Sequence, residues 1–356
     1  MTGSRMSRKK PSYAINDKLR RFLRHYGREA IVEVQYQDLL RYAGTVPLYD
    51  RSGKDTLWET VFFHPSEMEN LNRALTGIYA LLKTGGDLSV MEHLSVERVD
   101  YCTFGNSNPF RIRIKNLFND NYDYFYIKRA DASRIYGLEL EHILSPNRIS
   151  YFVNKETLIE EHIMGIPGDQ FIKNHLKDDG VNPVRVAKEF VKFNERCFVR
   201  LLGDMRSYNY VFDITPDFED VHYRIRAIDF DQQSYEGRKN LYFPQFFKDN
   251  LQLVQLTIKY MTPETILQYQ MEEHTLIAKR IKAARYMIKD LLDSMMQEPL
   301  SDESKILNLK EELARHYDET AFLKCRTMGA IVKLSLKVIL RKNKQHFEPK
   351  FNFLKY

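Results

Sequence analysis

Cysteine is scarce and scattered. Three occur in 356 residues, Cys102, Cys197 and Cys325, an odd number, far apart and without a C-x-x-C pair. That argues against a disulfide framework or a cysteine zinc site, and makes a reducing cytosol the expected compartment. Long apolar runs are missing too. Ala330–Val332 and Val338–Leu340 are broken by Lys333 and Lys337, far short of the roughly 20 residues of a membrane span. The basic stretch Met1–Lys10 leads into no apolar segment of signal-peptide length, so a soluble, cytoplasmic protein is expected. No repeat of solenoid length recurs. The ten histidines form no H-x-x-x-H or H-E-x-x-H pair, which argues against a zinc enzyme. A phosphate loop is absent as well: Arg51-Ser52-Gly53-Lys54-Asp55-Thr56 has Leu48 and Asp55 where G-x-x-x-x-G-K-[ST] needs Gly and Ser or Thr, and reads as a turn.

What remains is ordinary globular composition, 43% hydrophobic and 29% charged, long enough for one large or two ordinary domains. The net charge of +6 suggests nucleic acid at first sight. Its distribution argues otherwise. Residues 1–30 hold nine Lys/Arg against two Asp/Glu, and residues 324–356 hold nine against one, so the long middle is acidic. Nucleic acid is therefore not the expected partner. The alternating Phe110-Arg111-Ile112-Arg113-Ile114-Lys115 fits a base-stacking face or a solvated strand face equally well.

Patterning divides the chain into three. Residues 1–95 read as a helical N-terminal region, with helical patterns around 19–23 and 34–42, a turn at Val46-Pro47, a short aromatic segment over 55–63 and a helix over 65–82 that stops at Gly85-Gly86. Residues 96–165 read as a small antiparallel sheet with one helix. Strands are expected over 96–104, 110–114, 122–128, 148–153 and 157–163, with a polar loop Gly105–Pro109 between the first two and a helix over 132–144. Asp131 or Ser133 would cap that helix. After Gly165-Ile166-Pro167-Gly168, residues 166–356 read as a helical lobe, with helices over 169–176, 184–202, 245–261, 263–296, 304–316 and 320–340. A strand pair over 210–214 and 223–228 interrupts it.

That strand pair carries the chemistry. Leu202-Gly203-Asp204-Met205-Arg206-Ser207-Tyr208-Asn209 follows the 184–202 helix, and Ile228-Asp229-Phe230-Asp231 follows twenty residues later. An Asp, an Asn five residues on and a second Asp after an apolar strand suit phosphoryl transfer. The first can orient and deprotonate a hydroxyl, and the other two offer hard oxygens to Mg²⁺. The segment resembles the catalytic loop and metal motif of the protein-kinase-like superfamily, most of all its aminoglycoside phosphotransferase and choline kinase branch. There the pattern is His-Gly-Asp, four residues, Asn, then Ile-Asp-Phe or Ile-Asp-Trp. The likeness covers about residues 96–260.

The resemblance implies an α+β, two-lobed kinase-like fold with an added helical N-terminal region, and an ATP- and Mg²⁺-dependent phosphotransferase. Asp204 would be the catalytic base, with Asn209 and Asp229 as metal ligands. Lys128 would hold the α/β-phosphates, oriented by Glu139 or Glu141, Glu139 being favoured. Glu160-Glu161-His162-Ile163-Met164-Gly165 resembles the adenine-binding hinge, with Glu161 and Ile163 as its contacts. Ser107 would help backbone amides cover the phosphates. Asp231 is a second metal ligand or, by preference, a cap. The acceptor would be the hydroxyl of a small molecule, or of a protein if the chain is a Ser/Thr kinase. Three departures stand out. Leu202 replaces the family His, Gly105 stands alone where protein kinases have G-x-G-x-x-G, and no Ala-Pro-Glu follows Asp229. They motivate the rival expectation of a pseudokinase scaffold that binds a partner protein. Oligomeric state is not legible.

Overall fold

The computed structural model describes residues 10–50, 52–85, 92–103, 107–218 and 221–347. It is a mixed α/β protein with a large antiparallel sheet. The chain divides into two compact units, Met1–Ala132 with Ile149–His162, and Ser133–Arg148 with Ile163–Tyr356.

The first unit is built on seven strands: β1 (Gly44–Tyr49), β2 (Asp55–Phe62), β3 (Leu94–Cys102), β4 (Phe110–Asn116), β5 (Tyr122–Arg129), β6 (Tyr151–Asn154) and β7 (Thr157–Glu161). They pair antiparallel in the order β1-β2-β3-β4-β5-β7-β6. Period-2 alternation sets the faces. Phe110, Ile112 and Ile114 of β4 turn inward, with Phe125 and Ile127 of β5 and Leu75 and Ile78 of helix α3 (Pro65–Thr84). On the other face Arg111 bonds Asp100 at 2.8 and 3.1 Å and lies 4.4 Å from the Trp58 ring. Arg113 pairs with Glu97 at 2.6 Å and covers Tyr122 at 3.8 Å. These cations are engaged across the strands, so the alternating segment is a ladder of ion pairs and rings.

Two expectations fail here. Val46-Pro47 is not a turn but lies within β1, with Pro47 opposite Glu59. β1 is an edge strand, where a proline's missing N–H costs no ladder bond. Residues 1–95 thus supply two strands of the sheet as well as helices. The second helical pattern shrinks to α2 (Tyr36–Leu39), which follows α1 (Asp17–His25). Its Tyr36 amide is taken by the Thr157 hydroxyl at 2.9 Å. The opposite edge, β6, is covered by the segment after α1, through Val153 N–H to Arg28 O at 2.8 Å and Ala30 N–H to Val153 O at 3.1 Å. The turn read over residues 51–56 is one at its start, where the Asp50 carboxylate accepts the Ser52 and Lys54 amides at 2.8 and 2.9 Å, while Asp55 and Thr56 already belong to β2.

The second unit contains α4 (Ala132–Leu144, all but its first residue), a three-stranded antiparallel sheet and a helical bundle. The small sheet is β8 (Ile166–Pro167), β9 (Tyr210–Pro216) and β10 (Val221–Ala227), with β9 central. The boundary tetrapeptide is therefore partly strand. Gly168 opens a helical turn, α5 (Gly168–Gln170), continued as a π turn over Phe171–His175, with the Phe171 ring stacked on Phe212 at 3.9 Å. The bundle centres on α6 (Pro183–Arg200), capped by Asn182 and ended by Leu201 in the left-handed region at φ 57°. Against α6 pack α7 (Leu251–Tyr260) and α8 (Pro263–Ala283), followed by α9 (Arg285–Met295), α10 (Glu303–Tyr317) and α11 (Met328–Phe347). The single helix expected over 263–296 breaks at Ala284. No helix among the described residues is long and apolar enough to cross a membrane.

Candidate functional site

The site is built where α6 ends. Leu201 reverses the chain, and Leu202 is fully buried and bridges Gln233 through the backbone. Gly203 N–H reaches Gln232 O at 3.2 Å, and Ser234 N–H reaches Leu201 O at 2.8 Å. The Gln233 side chain, fully buried, donates to Arg200 O at 2.5 Å, while the Gln233 backbone carbonyl accepts the Ser133 hydroxyl at 2.7 Å. Backbone pairing with residues 232–234 therefore holds the loop that runs from Leu202 to Asp204.

Asp204 sits at φ 55°, a conformation that non-glycine residues adopt only when held. Two bonds hold it. Its carbonyl accepts Arg206 N–H at 2.8 Å and Asn209 Nδ2 at 2.7 Å. A buried Asn250 pins the next residue, donating to Met205 O at 3.0 Å while its Oδ1 accepts the Tyr210 hydroxyl at 2.7 Å. Asn209 closes a short 3-10 turn and leads into β9, and the β9–β10 hairpin returns so that Ile228 N–H bonds Asn209 O at 3.0 Å. Asp229 is the next residue. The structure thus brings Asp204, Asn209 and Asp229 together at the base of one hairpin.

Their side chains differ in surroundings. Burial pushes the Asp204 carboxyl above the usual carboxylate range; Arg206 works against that shift, and Glu236 and Asp249 add to it. Arg206 donates its Nε to Asp204 Oδ1 at 3.0 Å. With Nδ2 spent on Asp204, Asn209 turns Oδ1 the other way, and that atom accepts no hydrogen bond among the described residues. Asp229 Oδ1 accepts the Asp231 amide at 3.0 Å and Arg134 Nη1 at 3.0 Å. The same Nη1 bonds Asp231 Oδ1 at 2.6 Å. Asp231 thus faces a guanidinium. Arg134, from the first turn of α4, is a buried cation that two carboxylates neutralise.

The hard oxygens at this site that could take a divalent ion are Asn209 Oδ1 and the Asp229 carboxylate. Among the described residues no three His, Cys, Asp or Glu side chains form a metal cluster. Mg²⁺ carried by phosphates needs only one or two protein oxygens.

The other expected residues lie as follows. Glu139 is fully buried in α4, and Glu141, two residues on, is paired with the buried Arg200. Ile163, buried, opens the second unit's long segment. Lys128, Ser107 and Glu161 belong to the first unit. Lys128 is buried on β5 and its ammonium bonds Glu160 Oε2 at 2.6 Å. Glu161 accepts the Ser150 amide on Oε1 at 2.7 Å, and its own N–H reaches Ser150 O at 3.0 Å. Ser107 is half-buried before Asn108, whose side chain caps the Cys102 and Thr103 carbonyls at 3.2 and 3.1 Å. Gly105 lies outside the described residues. Sequence reasoning missed Arg134, Gln233 and Asn250, and placed Glu160 in the hinge-like segment without its bond to Lys128. All four act through tertiary contacts that no local pattern announces. No protein-family model matches the chain, and no curated protein matches it in sequence.

Proposed function

We propose that the protein is a Mg-ATP-dependent phosphotransferase acting on a hydroxyl of a small molecule, with the sheet unit and the helical unit in the roles of kinase lobes. The observation that carries this reading is the meeting of Asp204, Asn209 and Asp229 at the base of the β9–β10 hairpin. Asp204, its basicity raised by burial, accepts the acceptor's proton. Asn209 and Asp229 would hold the Mg²⁺, which neutralises phosphate charge when bound. The resemblance assigns Lys128 to the phosphates and Glu161 and Ile163 to the adenine. Glu141 is committed to Arg200, which favours Glu139 as the orienting carboxylate.

Mg-ATP should raise the melting temperature of the wild type. Asp229→Ala should abolish the metal-dependent part of that shift, and Asp204→Asn should keep the shift and lose turnover. Absence of any Mg-ATP stabilisation in the wild type would sink the reading. A pseudokinase scaffold is the second reading, favoured by the Arg134 guanidinium on Asp229. It predicts equal ATP turnover in wild type and Asp204→Asn. A panel of peptides and small hydroxyl compounds separates a protein Ser/Thr kinase from a small-molecule one.

A further inference from the structure

The helical unit holds a cavity of about 900 Å³ next to the Asp204 loop. That is the size of a small-molecule site. Two contacts tie it to Asp204. Arg206 lines it and bonds Asp204 Oδ1 at 3.0 Å, and Leu241 lines it and accepts the Asp204 amide at 3.3 Å. Its other cations are Arg238, Lys248 and Arg315.

These three differ from the engaged arginines elsewhere. None forms an ion pair among the described residues, and Arg315 donates only Nε, to Glu311 O at 3.3 Å. Two carboxylates share the wall, Glu311 and Glu312, and Glu312 is turned to the Lys239 amide at 2.8 Å. With Arg206 engaged by Asp204 and Asp249, three further cations face two carboxylates. Arg206 is fixed between Asp204 and Asp249 and lies 5.3 Å from the Phe247 ring. Phe246 and Phe247 supply apolar wall for a carbon skeleton.

We infer that this cavity takes the phosphate acceptor, and that the acceptor is an anion: a small hydroxyl compound that already carries a phosphate. Guanidinium forks match phosphate oxygens in pairs, and a lysine adds a point charge. The inference rests on the phosphotransferase reading, since Asp204, bonded to two residues of the cavity wall, would supply the chemistry. A compound held by Arg238, Lys248 and Arg315 would occupy a cavity whose wall residues Arg206 and Leu241 are bonded to Asp204. The acidic character of the chain between its basic ends would suggest a cationic acceptor. The local charge of this cavity reverses that.

The test is calorimetric titration of the full chain with glycerol 3-phosphate and glucose 6-phosphate, against glycerol, glucose and choline, without nucleotide. Arg238 and Arg315 are exposed, so Arg238→Ala/Arg315→Ala should keep the wild-type melting temperature. The sugar or glycerol phosphates should bind saturably, more weakly as salt rises, and about tenfold or more weakly in the double variant. The neutral compounds and choline should not bind. No saturable binding of either phosphate compound, equal binding by the double variant, or preference for choline would overturn the inference. Mg-ATP is titrated into the wild type in parallel. Nucleotide binding with no phosphate-compound binding overturns the inference alone. Phosphate-compound binding without nucleotide binding overturns the phosphotransferase reading and with it the acceptor role.

Discussion

At Asp204 two opposed effects act on one carboxyl. Burial raises its pKa, Arg206 lowers it, and the more distant Glu236 and Asp249 raise it again, with burial prevailing. A general base must be ionised before it can take a proton. Phosphotransfer should therefore fall as pH drops through a pKa above the ordinary Asp value, and the acid limb of the rate profile reports it. Arg206→Ala removes the largest lowering influence, so the limb should move to higher pH. A limb that moves down, or stays, would show that Asp204 is not the titrating base. The Asp204, Asn209 and Asp229 triplet was legible because its spacing lies within short segments. The Lys128–Glu160 contact was not. Lys128 stands opposite Leu158 and Tyr126 opposite Glu160, so the Lys128–Glu160 pair is a diagonal fixed by strand register.

Elements were legible where period and punctuation agreed. The helix that begins at Pro65 ends at Gly85, which adopts φ 69°, as its sequence announces. α6 shows its buried stripe in sequence for the same reason. β1 was missed because Pro47 reads as a breaker, and only its place at a sheet edge makes the proline harmless. The break at Ala284 carries neither Gly nor Pro, so periodicity ran through it. Gly165-Ile166-Pro167-Gly168 reads as a linker, yet Ile166 and Pro167 pair with Phe212 and Val211. Gly168 has a packing task. A Cβ there would stand 2.2 Å from the Tyr210 ring and 2.4 Å from Ser207 O, on either side of Asn209. Gly168→Ala should cost about 1–3 kcal/mol of stability and displace the Asn209 turn. Denaturant melts should show the loss, and Mg-ATP affinity should fall more than Mg-free ATP affinity. Wild-type stability in the variant would mean that the 168–170 segment yields without moving the turn.

At the scale of the whole molecule, the sequence reads in three consecutive blocks, whereas the compact units interleave. The first unit takes Met1–Ala132 and then Ile149–His162, with Ser133–Arg148 given to the second. Contact between distant segments decides this, and composition along the chain does not record it. The interleaving has a consequence for folding. Strands β6 and β7 come from the later piece, and β7 sits between β5 and β6 in the sheet. A fragment of residues 1–132 would leave β5 without its neighbour and the buried Lys128 ammonium without the Glu160 carboxylate. It would also expose Phe152 and Ile159's share of the core. A buried cation stripped of a carboxylate, together with an unpaired strand edge, favours unfolding or association. Residues 1–132 expressed alone should therefore give no cooperative thermal transition and should associate with concentration. Adding residues 133–162 restores both missing strands to the chain and should recover a cooperative melt. A cooperative transition in the shorter fragment would show that five strands and α3 suffice, and that the later strands only extend a sheet already formed.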